Sequence, residues 1–131
     1  MRVVIVGNRK ILMKKNKMLL YTAGGRARTR KSDELKLFES YVELIARTQM
    51  QLKCLPVFQK PVKMHLEVVF GDRRKRDLQN CFGSVCDALN GVVYEDDCQI
   101  VYLSASKRVE RKQWGFTITV EEIEEEERVA K

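Results

Sequence analysis

Residues 62–89 read VKMHLEVVFGDRRKRDLQNCFGSVCDAL, and within this stretch the hydrophobic period changes from two to about 3.6. Its first nine residues alternate apolar and polar side chains, which predicts a half-buried β-strand. From Asp77 onward the apolar residues recur at helical spacing, at Leu78, Cys81, Phe82, Val85 and Leu89. The stretch therefore predicts a strand, a charged connection and a helix packed on one core, and this unit decides the fold class.

The connection between that strand and that helix is strongly basic. Four consecutive basic residues lie between Asp72 and Asp77, namely Arg73, Arg74, Lys75 and Arg76. The helix dipole explains an aspartate at the start of a helix. It does not explain four like charges at the end of a buried strand, because these charges repel one another unless an anion binds there. The run therefore predicts contacts with phosphate groups, since basic side chains supply most of the affinity for DNA.

The overall charge favours the same kind of partner. The chain has 131 residues and 44% hydrophobic residues, which suits one compact domain with one core. Its net charge is +7, but six of the 18 acidic residues lie in residues 121–127. Residues 1–120 carry 23 basic and 12 acidic side chains, a net charge of +11. Such a body favours a polyanion such as nucleic acid, and the alternative is a soluble basic protein without that partner.

The N-terminal region predicts two strands and a basic loop. Residues 2–6 (RVVIV) and 18–22 (MLLYT) are short apolar runs typical of strands. Residues 23–34 are predicted to form a loop because Gly24 and Gly25 interrupt the pattern. Four basic residues follow these glycines, at Arg26, Arg28, Arg30 and Lys31. They suit phosphate contacts, and a solvated loop is the open alternative.

A long helix is predicted over residues 33–53, with Ser32 or Asp33 as its N-cap. Its apolar positions keep a period near 3.6, at Leu35, Phe38, Tyr41, Val42, Ile45 and Leu52. This stripe is expected to face the core. Pro56 and Pro61 follow and prevent the helix from continuing.

The C-terminal third predicts two strands and an acidic end. Residues 98–109 and 113–123 read as strands paired in a hairpin across residues 107–112. The element order then predicts an α+β fold, a small single domain with two main helices and a mixed or largely antiparallel sheet. We expect the domain to cover residues 1–120, and we expect residues 121–131 to form a frayed or disordered acidic tail.

The aspartates near the basic run suggest metal-dependent chemistry. Asp77, Asn80, Ser84 and Asp87 share one polar face of the second helix. Glu95, Asp96 and Asp97 precede the next strand, and a helix-long crossover is expected to bring that strand end near Asp77. Carboxylates inside a basic patch suit magnesium-dependent phosphodiester cleavage, because Mg²⁺ prefers hard oxygen ligands and activates water beside a bound phosphate. Spacing alone gives this weak support, since acidic turns are common.

Other classes of protein fit the sequence less well. The four cysteines form no CxxC pair and there is one histidine, so a structural zinc site is not expected. No apolar run reaches the length of a membrane span, and the N-terminal run is too short for a signal peptide. We therefore expect free thiols, a cytoplasmic location and no membrane partner.

Residues 72–107 closely resemble the RusA family of Holliday-junction resolvases. The matching features are the D-R-R-basic-R-D-L-x-N run, the D-A-L that ends the helix and the D-D-x-Q entry into the following strand. The resemblance covers about a quarter of the chain well. It implies a RusA-like fold and a small homodimeric endonuclease, often encoded in prophages, that uses Mg²⁺, for which Mn²⁺ can substitute, to nick four-way DNA junctions in recombination and repair.

The resemblance also implies the site residues. Asp77 matches the first aspartate of the family motif D-L-D-N, and Asn80 matches its asparagine. Asp97 matches the aspartate of D-D-x-Q, with Asp96 beside it. Gln79 stands at the second aspartate of D-L-D-N. The implied catalytic residues are Asp77, Asp97 and Gln79, and the implied metal ligands are these three with Asp96.

Two positions depart from the family motif. Gln79 replaces a carboxylate, and Gly83 replaces a lysine that the family carries four residues later. A glutamine oxygen can contact a metal but brings no negative charge, so the metal affinity is expected to fall; Asp72, Glu95 and Asp96 are nearby carboxylates that could substitute. The sequence therefore leaves two functions open: a nuclease that cuts branched DNA, or a weakened or inactive homologue that binds such DNA. A basic structural protein unrelated to DNA explains the aspartates poorly.

Overall fold

The computed structural model describes residues 1–13 and 18–124. Within these residues the chain forms six strands and two α-helices. The strands are β1 (Arg2–Gly7), β2 (Met18–Ala23), β3 (Arg26–Lys31), β4 (Val62–Phe70), β5 (Ile100–Val109) and β6 (Gly115–Glu122). The helices are α1 (Asp33–Leu52) and α2 (Phe82–Leu89). The predicted α+β class, with two helices and a mixed sheet, is confirmed.

The main sheet has four strands in the order β1-β6-β4-β5. β4 pairs parallel with β5 and antiparallel with β6, and β6 pairs antiparallel with β1. The predicted hairpin between the last two strands is wrong, because β4 lies between them. The connection turns around the end of β4, where the Glu110 amide donates to the Phe70 carbonyl at 3.0 Å and the Lys112 amide donates to the Gly71 carbonyl at 2.9 Å. Alternation along β4 buries five side chains on one face of the sheet, as the sequence predicted.

A second sheet contains only β2 and β3, which form a hairpin. Gly24 and Gly25 make its turn with φ angles of 59° and 75°, the positive values that a two-residue hairpin turn requires. The prediction of a loop over residues 26–31 is therefore wrong. The glycines do not interrupt a pattern here; they reverse the chain so that the arginine-rich segment pairs with β2.

α1 covers one face of the main sheet, as its apolar stripe predicted. The buried side chains of the helix are Leu35, Phe38, Val42, Ala46 and Met50. Its start is also confirmed, because the Ser32 hydroxyl accepts a hydrogen bond from the Leu35 amide at 3.2 Å. The predicted stripe is wrong at Leu52, which is 72% exposed at the last turn of the helix.

The second helix begins later than predicted. Asp77 is extended, residues Leu78–Cys81 form a 3₁₀ turn, and α2 follows at Phe82. The Ser84 hydroxyl, which is buried, donates to the Leu12 carbonyl at 2.6 Å and fixes the N-terminal segment across α2. A 3₁₀ turn at the start of a helix is common, and here it leaves Asp77 outside the helix.

The acidic end begins inside the sheet. Glu121 and Glu122, which were expected in the tail, lie in β6, and the buried Ile123 donates its amide to the Pro61 carbonyl at 2.8 Å. Residues 125–131 of the predicted tail lie outside the described residues. Among the helices that the structure describes, neither is long and apolar enough to cross a membrane.

Candidate functional site

A cleft of about 870 Å³ opens where the segment after β4 meets the end of β1 and β5. Most of its charged lining is basic, and two carboxylates, Glu34 and Asp77, also line it. The lining residues are Lys10, Ile11, Leu12, Met13, Glu34, Arg74, Lys75, Arg76, Asp77, Asn80 and Lys107. The strand–loop–helix unit of residues 62–89 therefore supplies the centre of the cleft.

Asp77 and Asn80 lie close together in this cleft. The extended backbone of Asp77 precedes the 3₁₀ turn, and the Asn80 amide donates to the Asp77 carbonyl at 3.1 Å. Asp77 is exposed, and its side chain makes no capping hydrogen bond to the turn. The carboxylate is therefore open to a ligand in the cleft, with an amide side chain one turn away.

Arg76 shapes the loop instead of presenting its charge. Its guanidinium donates to Asp72 at 2.6 Å and lies 4.9 Å from the ring centre of Phe70 and 5.2 Å from that of Trp114. Gly71 permits this packing, because a Cβ there would lie 2.4 Å from the indole nitrogen of Trp114. The Arg76 side chain is only 10% exposed. This geometry gives Arg76 a structural role at the wall of the cleft, and its role in phosphate binding stays a prediction.

The ion pair also changes the acidity of Asp72. Hydrogen bonds from Arg76, and then from the Arg74 amide, lower the pKa of Asp72 to about 2. This carboxylate accepts from Arg76 through both oxygens, and its role as a substitute metal ligand stays a prediction. The basic charge that remains exposed in the run belongs to Arg73, Arg74 and Lys75.

Two lysines of the cleft were missed by the sequence analysis. Lys107, near the end of β5, donates its Nζ to the Arg76 carbonyl at 2.9 Å, directly before Asp77. Lys10 places its Nζ 4.7 Å from the ring centre of Trp114. Lys107 is the last residue of the segment that resembles the RusA family. This position was the one feature of the sequence that pointed to a role for Lys107. Both lysines reach the cleft through contacts distant in sequence, which spacing along the chain does not reveal.

Lys31 joins three elements and carries little free charge. Its Nζ lies 2.7 Å from Glu39 on α1 and 3.2 Å from Asp87 on α2. Desolvation lowers the pKa of Lys31, but hydrogen bonds and Coulomb attraction from these two carboxylates outweigh it and raise the pKa. Lys31 is thus held by two carboxylates, and its role in phosphate binding stays a prediction. Arg26, Arg28 and Arg30 remain exposed and alternate along β3, so they share one face of the hairpin.

The second acidic group lies far from the first within one chain. Asp97 begins a 3₁₀ turn that leads into β5, and Asp96 caps that turn by accepting from the Cys98 amide at 3.2 Å. Lys107 lies beside Asp77 at the other end of β5, and the seven steps from Ile100 to Lys107 span about 23 Å. The crossover therefore leads to the far end of the strand, because α2 runs back along β5.

The electrostatics agree with this placement of Asp97. Burial raises the pKa of the Cys86 thiol to about 11, and the charges of Asp97 and Asp87 add to the increase. Asp97 thus lies near the C-terminal part of α2, whereas Asp77 precedes its start. Gln79 is exposed in the 3₁₀ turn and is not among the lining residues of the cleft. Across the described residues, no group of three or more His, Cys, Asp or Glu side chains could hold a metal ion.

Comparison with known proteins agrees with the motif. The family model for Endodeoxyribonuclease RusA matches residues 10–121. No curated protein matches the chain. The match includes the whole cleft, from Lys10 to Lys107, and both acidic groups. Because it spans most of the sequence, the chain belongs to the RusA family of endodeoxyribonucleases, which hydrolyse phosphodiester bonds and act as Holliday-junction resolvases.

Proposed function

We propose that this protein binds four-way DNA junctions as a homodimer and nicks them in a reaction that requires Mg²⁺ or Mn²⁺. The observation that carries the proposal is the exposed Asp77 carboxylate in a cleft lined by Lys10, Arg74, Lys75 and Lys107. Basic side chains hold a DNA phosphate, and a carboxylate among them provides a place for a divalent cation. The family supplies the substrate class, branched DNA.

The oxygen donors of the cleft are of the type that a hard cation prefers, but they are too few to complete its coordination. Asp77 offers a carboxylate and Asn80 an amide oxygen, both of which suit Mg²⁺. When bound, such a metal activates water and stabilises the leaving oxygen. We propose Asp77 as the first ligand, with Asn80 beside it. The Lys107 bond to the Arg76 carbonyl fixes the peptide next to Asp77 and so positions this carboxylate.

The proposed role of Asp97, with Asp96 next to it, requires a second chain. Within one chain the length of β5 separates Asp97 from Asp77, so one metal does not reach both. In a two-fold homodimer each site can take Asp77 from one subunit and Asp97 from the other. We therefore propose that the metal site is completed only in the dimer. Gln79 then contributes at most a neutral oxygen at the edge of the site.

Binding without cleavage is the second candidate function. Two observations favour it: Gln79 replaces the carboxylate of the family motif, and Gly83 on α2 replaces its lysine. The basic cleft and the arginines of the hairpin do not depend on either position. This arrangement is consistent with a protein that binds branched DNA but cleaves it slowly or not at all.

The deciding experiment uses a labelled four-way junction and a linear duplex of the same sequence. Purified protein is incubated with each DNA at a range of Mg²⁺ and Mn²⁺ concentrations and with a chelator. The proposal expects metal-dependent, symmetric nicks in the junction alone, and loss of nicking with Asp77→Asn. Tight junction binding without nicks at every metal concentration would establish the second function. Equal affinity for junction and duplex would contradict the proposed substrate.

A further inference from the structure

β5 forms one edge of the main sheet and is long for an edge strand. It has ten residues and pairs on one side with β4 along nearly its whole length. In the part of the chain that the structure describes, no strand pairs with its outer side. An edge strand presents a row of backbone N–H and C=O groups that can pair with another strand.

This edge lacks the usual features that prevent such pairing. Residues 100–106 (IVYLSAS) contain no charge and no proline, and the register shift of this strand pair lies at its beginning, between Val62 and Lys63 of β4. Leu103 and Val109 are each 48% exposed. A groove of about 500 Å³ lies against the strand and is lined by Lys63, Tyr102, Leu103 and Ser104. A long, uncharged edge with exposed apolar side chains favours association.

The charges at the two ends of β5 specify the partner. Glu95, Asp96 and Asp97 precede the strand, and Lys107 and Arg108 lie near its end; all five are exposed. Antiparallel pairing of two copies sets the acidic end of each strand against the basic end of the other. Parallel pairing would set like charges together. The strand is thus complementary to itself under a two-fold rotation.

We propose that β5 pairs antiparallel with β5 of a second copy, with the two-fold axis near Ser104, to form one continuous sheet of eight strands. This interface rests on the homodimer of the proposed function and specifies its location. It also carries the acidic turn of each subunit toward the cleft of the other.

A second apolar surface lies on α1, where Leu37, Leu44 and Leu52 are 70%, 63% and 72% exposed. The charge pattern of the helix favours self-association less. Its first turn contains Asp33 and Glu34, but its last turn contains no basic residue. Lys53 follows as the C-cap, so antiparallel pairing of α1 with itself offers one basic residue at that end, against the two that β5 offers.

The first test compares three variants, each with a single substitution by lysine. Light scattering over a range of concentrations measures the dimer dissociation constant of each variant. Leu103→Lys on β5 is expected to raise the dimer dissociation constant at least 100-fold. Val6→Lys, on the opposite edge strand β1 where Val6 is 59% exposed, and Leu44→Lys on α1 are expected to leave it within about threefold of the parent. Circular dichroism checks that each variant keeps its fold, which an exposed substitution permits.

A second test detects the pairing directly and does not depend on dissociation. Ser104→Cys is made in a background in which the exposed Cys54 and Cys98 are serine. Directly opposed residues of an antiparallel pair are about 4.5–5.5 Å apart between Cα atoms, within the range of a disulfide. Mild oxidation is expected to give a covalent dimer, and the control Ser40→Cys on α1 is expected to remain uncrosslinked.

The outcomes separate the interface from the proposed function. A parent dimer that Leu103→Lys leaves intact, or that Leu44→Lys dissociates instead, would overturn the β5 interface and leave the homodimer standing. A parent that stays monomeric at all concentrations would overturn both, while the junction assay still decides nuclease activity. Crosslinking through Ser40 but not Ser104 would likewise assign the interface to α1.

Discussion

At the scale of single residues, the basic run divides into a structural arginine and exposed ones. Arg76 is buried against two rings and bonded to Asp72, whereas Arg74 donates only its backbone amide to that aspartate. Substitution of one of these four neighbouring basic residues is therefore expected to change either DNA binding or the stability of the fold, depending on the residue. They look equivalent in the sequence, and only the contacts distinguish them.

Arg74→Ala and Arg76→Ala are therefore expected to have different effects. Arg74→Ala should weaken junction binding about tenfold at low salt with little change in melting temperature. Arg76→Ala should lower the free energy of unfolding by about 1–3 kcal/mol, because it removes a charged hydrogen bond and two ring contacts. Gel-shift titration and thermal denaturation measure the two effects. Equal melting temperatures for the two variants would contradict the structural role of Arg76.

The ion pair of Asp72 also predicts a pH dependence of stability. The pKa of Asp72 is about 2 in the folded protein, below its usual value of 3.8. Its contribution is therefore full above pH 4 and is lost as the pH falls through 2. Asp72→Asn should melt at a lower temperature than the parent at about pH 7, and the difference should shrink as the solution is acidified toward the folded-state pKa. It should also shrink at high salt, because the Asp72 carboxylate is exposed to solvent. A difference that stays constant across this acid titration would exclude this origin.

Gln79 and Gly83 predict a gain of function. If weak negative charge limits metal binding, Gln79→Asp should raise Mn²⁺ affinity and cleavage, since it restores a carboxylate beside Asp77. Gly83→Lys should raise the cleavage rate more than binding, because the added cation acts on charge that develops at the phosphate in the transition state. Calorimetry and single-turnover cleavage measure these effects. A double variant that binds junctions normally but cuts no faster than the parent would remove Gln79 and Gly83 from the catalytic site.

At the scale of elements, the β2–β3 hairpin is a basic ribbon held to the helices through Lys31. The strands pair only with each other among the described strands, and the bonds of Lys31 to Glu39 and Asp87 join the end of β3 to α1 and α2. Lys31 therefore fixes the base of the ribbon, while the exposed arginines of β3 are available to a polyanion.

The hairpin is expected to contribute phosphate contacts without base readout. Replacing Arg26, Arg28 and Arg30 by Gln should weaken junction binding and reduce the slope of log K against log salt by about 2–3, close to one unit for each phosphate that is no longer bound. The matched control replaces three exposed lysines outside this hairpin, Lys36, Lys53 and Lys60, by Gln. Fluorescence anisotropy at several salt concentrations measures both slopes. Equal slopes for the two triple variants would show that the hairpin does not touch DNA.

At the scale of the whole molecule, the two acidic groups lie at opposite ends of β5. One metal site that contains both Asp77 and Asp97 therefore requires two chains. This requirement links the metal, the dimer and symmetric nicking, because a two-fold axis generates two equal sites.

Mixing two inactive variants tests whether the site is shared between subunits. Asp77→Asn and Asp97→Asn should each abolish cleavage and high-affinity Mn²⁺ binding as homodimers. Their mixed dimer should regain one intact site, with about half the metal stoichiometry of the parent and nicks in one strand only. If both aspartates act within one chain, the mixed dimer contains no intact site. Mixing that restores neither metal binding nor nicking would therefore contradict a shared site.

The sequence by itself determined the fold class, the long helix and the strand–loop–helix unit. Period and capping reveal these features, because hydrophobic spacing and the Ser32 cap act over a few residues. It also revealed the family through local motifs such as D-L-x-N around Asp77. The RusA model that matches residues 10–121 confirmed this part of the interpretation.

Only the tertiary structure decided the order of the strands and the membership of the cleft. The position of β4 between β5 and β6 depends on pairing between distant segments, which the alternation of each strand does not encode. In the same way, Lys107 enters the cleft and Lys31 forms ion pairs through partners that lie far away in sequence. Arg76 bonds Asp72 only four residues away, but its packing against Trp114 depends on the tertiary structure. The distance between Asp77 and Asp97 follows from the direction of α2 along β5. Local sequence determines which chemical groups the chain carries, whereas long-range packing determines which of them meet.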